Sequence, residues 1–232
     1  MSEKEWLVPS VVEARDLSEA WWKCLRETLQ KGHIYTIDRG SGKSRGQRRM
    51  ELDFLFLTVR FPGDAPIVPD VPQGVPAPAS TEAVERYMRY LMTSEKADGE
   101  NYTYGEDLEE PIFRAIKMFK EEGFGTNQAC LSVGGASSIL LEDPQCLRVV
   151  DLRVRYGKLA MFVYFRSWDL YGGFPMNLGG LQLLKAFIAE EVGVEDGQLI
   201  AASKGLHLYE SAWEAACLAA RLSPEEVLKD YR

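Results

Sequence analysis

Hydrophobic positions along this chain follow two spacings, and the order in which those spacings alternate predicts the fold class. Apolar residues at helical spacing predict helices at 17–31, 81–93, 109–122, 177–192 and 210–221. Short alternating or continuous apolar runs predict strands at 51–61, 128–133, 148–155, 158–166 and 198–204. Because helices and strands are interspersed, we expect residues 1–232 to form a single α/β or α+β domain, with helices flanking one mixed β-sheet.

Local signals refine two of these helices and one connection. Pro111 is expected near the first turn of the helix at 109–122, where the missing backbone N–H carries no cost. Asn177 opens the helix at 177–192, a position at which asparagine commonly acts as the N-cap. The proline- and glycine-rich stretch at 62–78 predicts a loop or an extended connector.

The bulk composition narrows the classes of function. A chain of 232 residues that is 46% hydrophobic can bury one sizeable core. Its formal net charge of -8 is unfavourable for general nucleic-acid binding, because attraction to phosphates requires basic surfaces. The charged start, Met1 to Trp6, lacks the apolar segment of a signal peptide, and no apolar run is long enough to span a bilayer. We therefore expect a cytoplasmic protein without membrane contacts.

The cysteines argue against a metal site. Cys24, Cys130, Cys146 and Cys217 are scattered, without the CxxC pairs or clustered histidines of zinc sites. In a cytoplasm their thiols are expected to be reduced. Three of the four are expected to be small core residues, which is the usual fate of an unpaired cysteine.

Four short blocks between residues 144 and 209 carry the candidate chemistry. They are Pro144-Gln145-Cys146, Phe165-Arg166-Ser167-Trp168-Asp169, Gly173-Phe174-Pro175-Met176-Asn177 and His207-Leu208-Tyr209. Asp169 lies three residues after Arg166, and Asn177 lies eight residues after Asp169. His207 follows Asn177 by thirty residues.

These residue types suit nucleophilic attack on a phosphorylated substrate. Cys146 follows a turn, and a thiolate is a good carbon nucleophile whose pKa would be lowered by Arg166 or Arg148. A guanidinium beside a hydroxyl, as in Arg166-Ser167, suits a phosphate dianion. Taken alone, such a cysteine is more often a packed core residue, and such an arginine a solvated strand end.

The order and spacing of the four blocks resemble the thymidylate synthase family. The motifs of that family are Pro-Cys, Arg-Ser-x-Asp-x-x-(Leu)-Gly-x-Pro-(Phe)-Asn and His-x-Tyr. The resemblance implies that Cys146 adds to C6 of the uracil ring of dUMP, after which C5 is methylated to give dTMP. The carbon donor would be a methylene-carrying reduced pterin, either tetrahydrofolate or tetrahydromethanopterin, and no metal is implied.

The resemblance also implies roles for the central motif. Arg166 would contact both the phosphate and the nucleophile, and Ser167 would bind the phosphate. Asp169 would bond the pterin ring, although a turn aspartate before two glycines explains it equally well on local grounds. Asn177 would read O4 and N3–H of uracil, whereas relatives that hydroxymethylate cytosine nucleotides carry Asp at this position.

Flanking residues complete the implied site. His207 and Tyr209, which alternate on one strand face, would bind the 3′-hydroxyl of the sugar. Arg39 lies in the glycine- and serine-rich loop at 38–46 and resembles the mobile phosphate-binding arginine of the family, although a solvated linker arginine is equally plausible. Glu85, with Glu82 as a rival, would move protons at O4 from a partly buried position. Tyr104 resembles a tyrosine near the family's nucleophile.

Two departures from the family pattern leave alternatives open. At the position of an Arg-Arg pair that reaches the partner subunit's phosphate, this chain has Asn127-Gln128, so the phosphate would be held either by fewer charges or by Arg45, Arg48 or Arg49. The family's closing C-terminal tail is not expected, because the chain ends at Asp230-Tyr231-Arg232. The resemblance implies a homodimer, while a hydroxymethylase of the same fold and a nucleotide-binding protein without turnover remain alternatives.

Overall fold

The computed structural model describes residues 6–40, 44–96, 102–229 and 231. Within those residues the chain contains ten β-strands. They are β1 (Pro9–Ala14), β2 (His33–Thr36), β3 (Arg48–Glu51), β4 (Phe54–Val59), β5 (Cys130–Ser132), β6 (Leu147–Arg155), β7 (Lys158–Phe165), β8 (Trp168–Asp169), β9 (Glu195–Ser203) and β10 (Leu206–Tyr209). Ser41, Gly42 and Lys43 of the expected basic loop, and the terminal Asp230 and Arg232, lie outside the described residues.

Six α-helices connect or cover these strands in the described part of the chain. They are α1 (Leu17–Lys31), α2 (Thr81–Met92), α3 (Gly105–Glu122), α4 (Gly173–Val192), α5 (Trp213–Ala219) and α6 (Pro224–Val227). Short 3-10 helices span Ala136–Leu140 and Glu210–Ala212. None of the helices within the described ranges is long and apolar enough to cross a membrane.

The larger sheet has six strands in the order β1-β4-β9-β7-β6-β5. It is mixed, because β1 with β4 and β7 with β9 are parallel pairs while the other neighbours are antiparallel. Alternate residues of β4, namely Leu55, Leu57 and Val59, are buried on one face. On the other face Phe56 remains 46% exposed, so only one face of this sheet is covered within the subunit.

The smaller sheet has four short strands in the order β2-β3-β10-β8. Helix α1 contacts β1 and β4 of the larger sheet and β3 and β10 of the smaller one. Helix α4 likewise contacts β7 and β9 on one side and β8 on the other. These two helices therefore join the two sheets into one core.

The expected fold class is confirmed, and several elements lie where the hydrophobic spacing predicts them. Helix α1 has the predicted bounds, because Asp16 caps it by accepting a hydrogen bond from the Glu19 backbone N–H at 2.9 Å. Strands β6 and β7 also match to within one residue at either end. The stretch at 62–78 contains no helix or strand, as its proline content predicts.

Two helices begin four residues earlier than predicted, and this corrects two local expectations. Helix α3 begins at Gly105, so Pro111 lies in its second turn rather than its first. Helix α4 begins at Gly173, so Asn177 lies in its second turn and is not the N-cap. Gly105 permits the early start of α3, because a Cβ there would lie 2.1 Å from the Thr93 carbonyl oxygen.

The second sheet is a feature that the hydrophobic pattern does not predict. Strands β2, β3 and β10 are only four residues long and β8 only two. Because these strands carry polar side chains on one face, they lack the apolar runs on which strand prediction depends. The expectation of one mixed sheet is therefore extended to two sheets that share one core.

Candidate active site

One face of the smaller sheet is lined with polar side chains. The strand register places them side by side across all four strands: Tyr35, Arg49, Glu51, Asp169, His207 and Tyr209. The opposite face carries Met50 and Leu208, which are buried in the core. The alternation of side chains along short strands thus produces one polar wall backed by an apolar core.

Cys146 lies in the turn that leads into β6, next to this wall. The side chain is half-buried, and its backbone carbonyl accepts a hydrogen bond of 2.8 Å from the backbone N–H of Arg166. The turn and the end of β7 are therefore tied together, which holds Cys146 and Arg166 as neighbours.

Burial and the neighbouring positive charges shift the pKa of Cys146 in opposite directions. Burial raises the pKa of the thiol, and the nearby Asp143 carboxylate acts in the same direction. The positive charges of Arg166 and Arg49 lower it, but they do not offset burial. The expected lowering is therefore wrong in its net direction, and Arg148 is not the second cation, because its guanidinium lies against Gly134.

Arg166 folds over the turn that carries Cys146. Its Nε donates to the carbonyl oxygens of Pro144 and Gln145, at 3.1 Å each, and Nη2 also contacts the Pro144 carbonyl. Nη2 lies 3.3 Å from the Asp143 carboxylate, and 28% of the Arg166 side chain is exposed. Arg166 is thus anchored by backbone contacts while part of its guanidinium faces solvent beside the half-buried Ser167.

Arg49 is the second cation of the site. Only 12% of its side chain is exposed, and it forms an ion pair of 3.3 Å with Glu51. The guanidinium lies 5.7 Å from the ring centre of Tyr35 and 5.5 Å from that of Tyr209. Its Nε is buried and has no hydrogen-bond partner among the residues that the structure describes. A buried cationic donor without a partner favours an anionic ligand.

The other candidate arginines are not equivalent to Arg49. Arg48 points away, since it pairs with Glu210 at 2.8 Å and lies 5.1 Å from the ring centre of Trp213. Arg45 is exposed in the preceding turn. Arg39 is also exposed, and its Nη2 lies 3.5 Å from the carbonyl oxygen of Leu141, which precedes the Cys146 turn. Arg39 therefore remains at the rim of the site.

His207 is buried and neutral. Its side chain is 2% exposed, and Nδ1 lies 2.8 Å from the carbonyl oxygen of Gly205. Burial, reinforced by the charge of Arg49, lowers its pKa to about 3. Because Nδ1 must carry the proton to contact a carbonyl, Nε2 is an acceptor, and it has no partner within the described ranges. His207 can therefore accept a hydrogen bond from a ligand hydroxyl.

Tyr209 stands beside His207, with its ring 4.8 Å away in an edge-on arrangement. Burial raises the pKa of the Tyr209 hydroxyl; the charge of Arg49 opposes this increase and the Asp169 carboxylate adds to it. Tyr209 therefore keeps its proton and can donate to the same ligand. The histidine and the tyrosine occupy one strand face, as the alternation in the sequence predicts.

Asp169 holds the start of α4. Its carboxylate accepts hydrogen bonds of 3.2 Å from the backbone N–H groups of Tyr171 and Gly173. Burial raises its pKa and these backbone contacts oppose the increase. The turn role expected on local grounds is therefore present, and a contact with a second ligand would have to use the remaining lone pairs.

Asn177 projects from the second turn of α4. It is half-buried, and its Oδ1 accepts a hydrogen bond of 3.0 Å from the indole Nε1–H of Trp168. The tryptophan is the unspecified residue of the Arg-Ser-x-Asp motif, and nothing in the sequence pattern predicts this contact.

A group of aromatic side chains forms a cavity of about 360 Å³ near Cys146. Its lining consists of Ala83, Arg86, Tyr87, Tyr90, Tyr102, Tyr104 and Met176. Tyr104 accepts a hydrogen bond of 3.3 Å from the backbone N–H of Leu147, the residue after the cysteine. Burial raises the pKa of Tyr87, Tyr102 and Tyr104. Of these tyrosines the sequence motifs identify only Tyr104.

Glu85 and Glu82 are both exposed on α2, which corrects the expectation of a partly buried carboxylate. The buried side of α2 consists of Val84, Tyr87 and Leu91. Glu85 is one residue beyond Val84, so it is rotated by about 100° away from the core side. Tyr87, rather than Glu85, faces the aromatic cavity.

Across the described ranges, no group of three or more His, Cys, Asp or Glu side chains could hold a metal ion. The two carboxylates on the polar wall already have partners, Glu51 in Arg49 and Asp169 in backbone N–H groups of the following turn. The arginines therefore favour an anionic organic ligand over a cation.

Several known proteins resemble this chain, some over most of its length and others over a shorter segment. Residues 137–227 match the family model for thymidylate synthase. A provisionally named thymidylate synthase of Methanosarcina acetivorans is 26% identical over 91% of this chain and 95% of its own length. One from Methanothermobacter thermautotrophicus is 25% identical over 94% of this chain and 98% of its own. A thymidylate synthase of Listeria monocytogenes is 39% identical over 66 residues, 28% of this chain and 21% of its own. The resemblance drawn from the motifs is confirmed.

Proposed function

We propose that this chain, whose residues 137–227 match the thymidylate synthase family, methylates dUMP at C5 to form dTMP. The observation that supports this most directly is the convergence of a cysteine, two arginines and a polar sheet face. The charges of Arg166 and Arg49 both act to lower the pKa of the Cys146 thiol. Tyr209 lies close enough to Asp169 for the carboxylate to raise the pKa of its hydroxyl. One small phosphorylated ligand could therefore contact all of these groups.

Cys146 is the proposed nucleophile. Its sulfur would form a bond to C6 of the uracil ring, while the C5–C6 electron pair moves toward C5 and O4 and makes C5 nucleophilic. The two arginines favour the thiolate that this step requires, against the burial that disfavours it. After C5 has taken up the one-carbon unit and lost its proton, the bond between that carbon and the pterin nitrogen would break. A hydride would then reduce the exocyclic methylene to a methyl group, and the sulfur would leave as the C5–C6 double bond is restored.

The phosphate of dUMP would lie between Arg166 and Arg49. Arg166 is held in place by backbone carbonyls, so its exposed edge could turn from Asp143 to a dianion with little rearrangement. The Nε of Arg49 supplies a buried donor whose partner the described residues do not provide. Ser167 would donate its hydroxyl, and Arg39 would contribute from the rim. This arrangement would compensate for the absent Arg-Arg pair.

The sugar and base would be recognised by the polar groups next to Cys146. Nε2 of His207 could accept from the 3′-hydroxyl, while the Tyr209 hydroxyl donates to it. The Asn177 amide would donate to O4 and accept from N3–H of uracil. Cytosine presents the opposite polarity at these two positions, so the same amide would disfavour it.

The tyrosine-lined cavity suits the flat pyrimidine half of a reduced pterin co-substrate. Aromatic walls of this kind can stack on such a ring. Asp169 would bond the pterin edge with its remaining lone pairs. A methylene-carrying pterin supplies the transferred carbon and a hydride when it is bound. Tetrahydrofolate and tetrahydromethanopterin offer the same pterin edge, so the site could accept the methylene-carrying form of either.

The protein is proposed to act as a homodimer that packs sheet against sheet. One row across the larger sheet is apolar on its uncovered face: Val11, Phe56, Ala202, Tyr164 and Val149. Val11 is 73% exposed and Phe56 46% exposed in the isolated subunit. A second copy would bury this surface.

The test is to incubate the purified protein with dUMP and each methylene-carrying pterin, and to measure the mass of the nucleotide product. We expect dTMP with at least one donor, and none with Cys146→Ala. A hydroxymethylated product would indicate the related hydroxymethylase instead. Binding of dUMP without any product would indicate a nucleotide-binding protein without turnover, and would contradict the proposal.

A further inference from the structure

Trp168 is held rigidly beside the proposed base site. The side chain is 2% exposed, and its ring stacks on Phe165 at 4.2 Å with an interplanar angle of 9°. Phe174 lies on it as well, at 4.4 Å between ring centres. Because the indole is fixed between these rings, the direction of its N–H is fixed too. That N–H donates to Oδ1 of Asn177 at 3.0 Å.

This contact determines the orientation of the Asn177 amide. An indole N–H can only donate, so the atom that it meets must be the amide oxygen and not the amide nitrogen. The NH₂ group is then directed to the other side. The oxygen retains a second lone pair, and the amide can therefore still accept one hydrogen bond from a ligand while its nitrogen donates another.

We propose that Trp168 is a positioning residue for base recognition, an inference that rests on the proposed function. It holds Asn177 in the orientation that matches O4 and N3–H of uracil. Reading cytosine would require the amide to rotate by half a turn. The buried indole N–H and the amide NH₂ group would then face each other without an acceptor. This disfavours that state by roughly 5- to 150-fold, the equivalent of about 1–3 kcal/mol.

The experiment measures dissociation constants for dUMP and dCMP in the unchanged protein, in Trp168→Phe and in Trp21→Phe. Phenylalanine preserves the stacking but removes the N–H, so the amide becomes free to rotate. Trp21 is the matched control, because it is also buried and donates its indole N–H, at 2.8 Å, to the Leu170 carbonyl instead. We expect the preference for dUMP to fall about 5-fold or more in Trp168→Phe and to be unchanged in Trp21→Phe.

The outcomes separate this inference from the proposed function. If the unchanged protein fails to bind dUMP, the proposed function fails. If it prefers dUMP and folded Trp168→Phe keeps the same ratio, only the role of Trp168 is overturned. Should that variant not fold, hydrogen exchange of the Trp168 indole N–H in the unchanged protein provides the readout. Exchange should be slow with saturating dUMP and faster with saturating dCMP, and equal rates would overturn the inference.

Discussion

At the scale of single residues, the site contains polar groups whose ionisation or hydrogen bonding depends on their burial. His207 is neutral because burial lowers its pKa to about 3, and Arg49 retains a buried donor without a partner in the described part of the chain. Both lie on short strands whose sequence, Arg48-Arg49-Met50-Glu51 and Leu206-His207-Leu208-Tyr209, gives little sign of burial. Their functional meaning follows from the pairing of β3 with β10.

The two arginines should contribute separately to phosphate binding. A charge-assisted hydrogen bond contributes roughly 1.5–3 kcal/mol, so Arg166→Ala and Arg49→Met should each weaken dUMP binding by about 10- to 100-fold. The binding of deoxyuridine, which lacks the phosphate, should weaken much less. Calorimetric titration of both ligands provides the measurement.

Arg48→Met is the control for this prediction, because Arg48 is tied to Glu210 and Trp213 away from the site. It should bind dUMP as the unchanged protein does. If Arg166→Ala weakens the binding of dUMP and of deoxyuridine by the same factor, the phosphate does not lie at Arg166.

His207 should make the protein less stable in mild acid. An unfolded chain takes up the imidazole proton near its ordinary pKa of 6.5, whereas the folded protein resists it down to about 3. The contribution is complete above pH 6.5 and is lost as the pH falls toward 3. Between pH 7 and pH 5 the free energy of unfolding should fall by on the order of 2 kcal/mol from this group.

Urea unfolding at the two pH values measures this loss. His207→Gln should reduce the difference between pH 7 and pH 5, whereas His33→Gln should not, because the His33 side chain is 65% exposed. Equal pH dependence in the two variants would show that His207 is not buried as described.

At the scale of elements, the contact between α2 and α4 positions the aromatic cavity. Gly179 and Gly180 let the helices approach closely, since a Cβ on Gly179 would lie 2.8 Å from Val84. A Cβ on Gly180 would lie 2.7 Å from the Tyr87 ring and 3.0 Å from the Met88 backbone nitrogen. Tyr87 lines the cavity from this helix, so the spacing of the two helices determines the shape of the site.

Gly180→Ala should therefore destabilise the protein. Alanine normally stabilises a helix interior by about 1 kcal/mol relative to glycine, but overpacking here should cost about 1–3 kcal/mol. Gly135→Ala is the control, because its Cβ would meet nothing within 4 Å. Urea unfolding should show a lower free energy of unfolding for Gly180→Ala and an undiminished one for Gly135→Ala. A gain in both variants would mean that the helices are farther apart than described.

The same scale shows how far the sequence predicts this structure. Long amphipathic elements such as α1 and β7 are predicted closely, because their hydrophobic spacing is set by one buried face. The start of α4 is not predicted, because Gly173 to Met176 lack helix signals; the Asp169 carboxylate, four residues before the helix, accepts from the Gly173 N–H there. In the sequence, Arg49 is one of three equal candidates for binding the phosphate, and no motif assigns a role to Trp168. Both residues acquire their partners only through tertiary packing.

At the scale of the whole molecule, the uncovered face of the larger sheet should determine the oligomeric state. Phe56 lies second in the apolar row, between Val11 and Ala202. Phe56→Glu would place a charge in a buried interface and should convert a dimer to a monomer at micromolar concentrations. Sedimentation velocity provides the measurement.

Phe113→Glu is the matched control, because Phe113 is similarly exposed, at 52%, but lies on α3. It should sediment as the unchanged protein does. An unchanged protein that is monomeric at every concentration would exclude the proposed packing.

The most direct test of the central claim, that Cys146 is the nucleophile toward a uracil nucleotide, uses 5-fluoro-dUMP with a methylene-carrying pterin. Fluorine at C5 cannot leave as a proton does, so the covalent intermediate should accumulate. Peptide mapping by mass spectrometry should find the adduct on Cys146 and not on the exposed Cys130 or the buried Cys24 and Cys217. An adduct on another cysteine, or an undiminished yield in Cys146→Ala, would contradict this account.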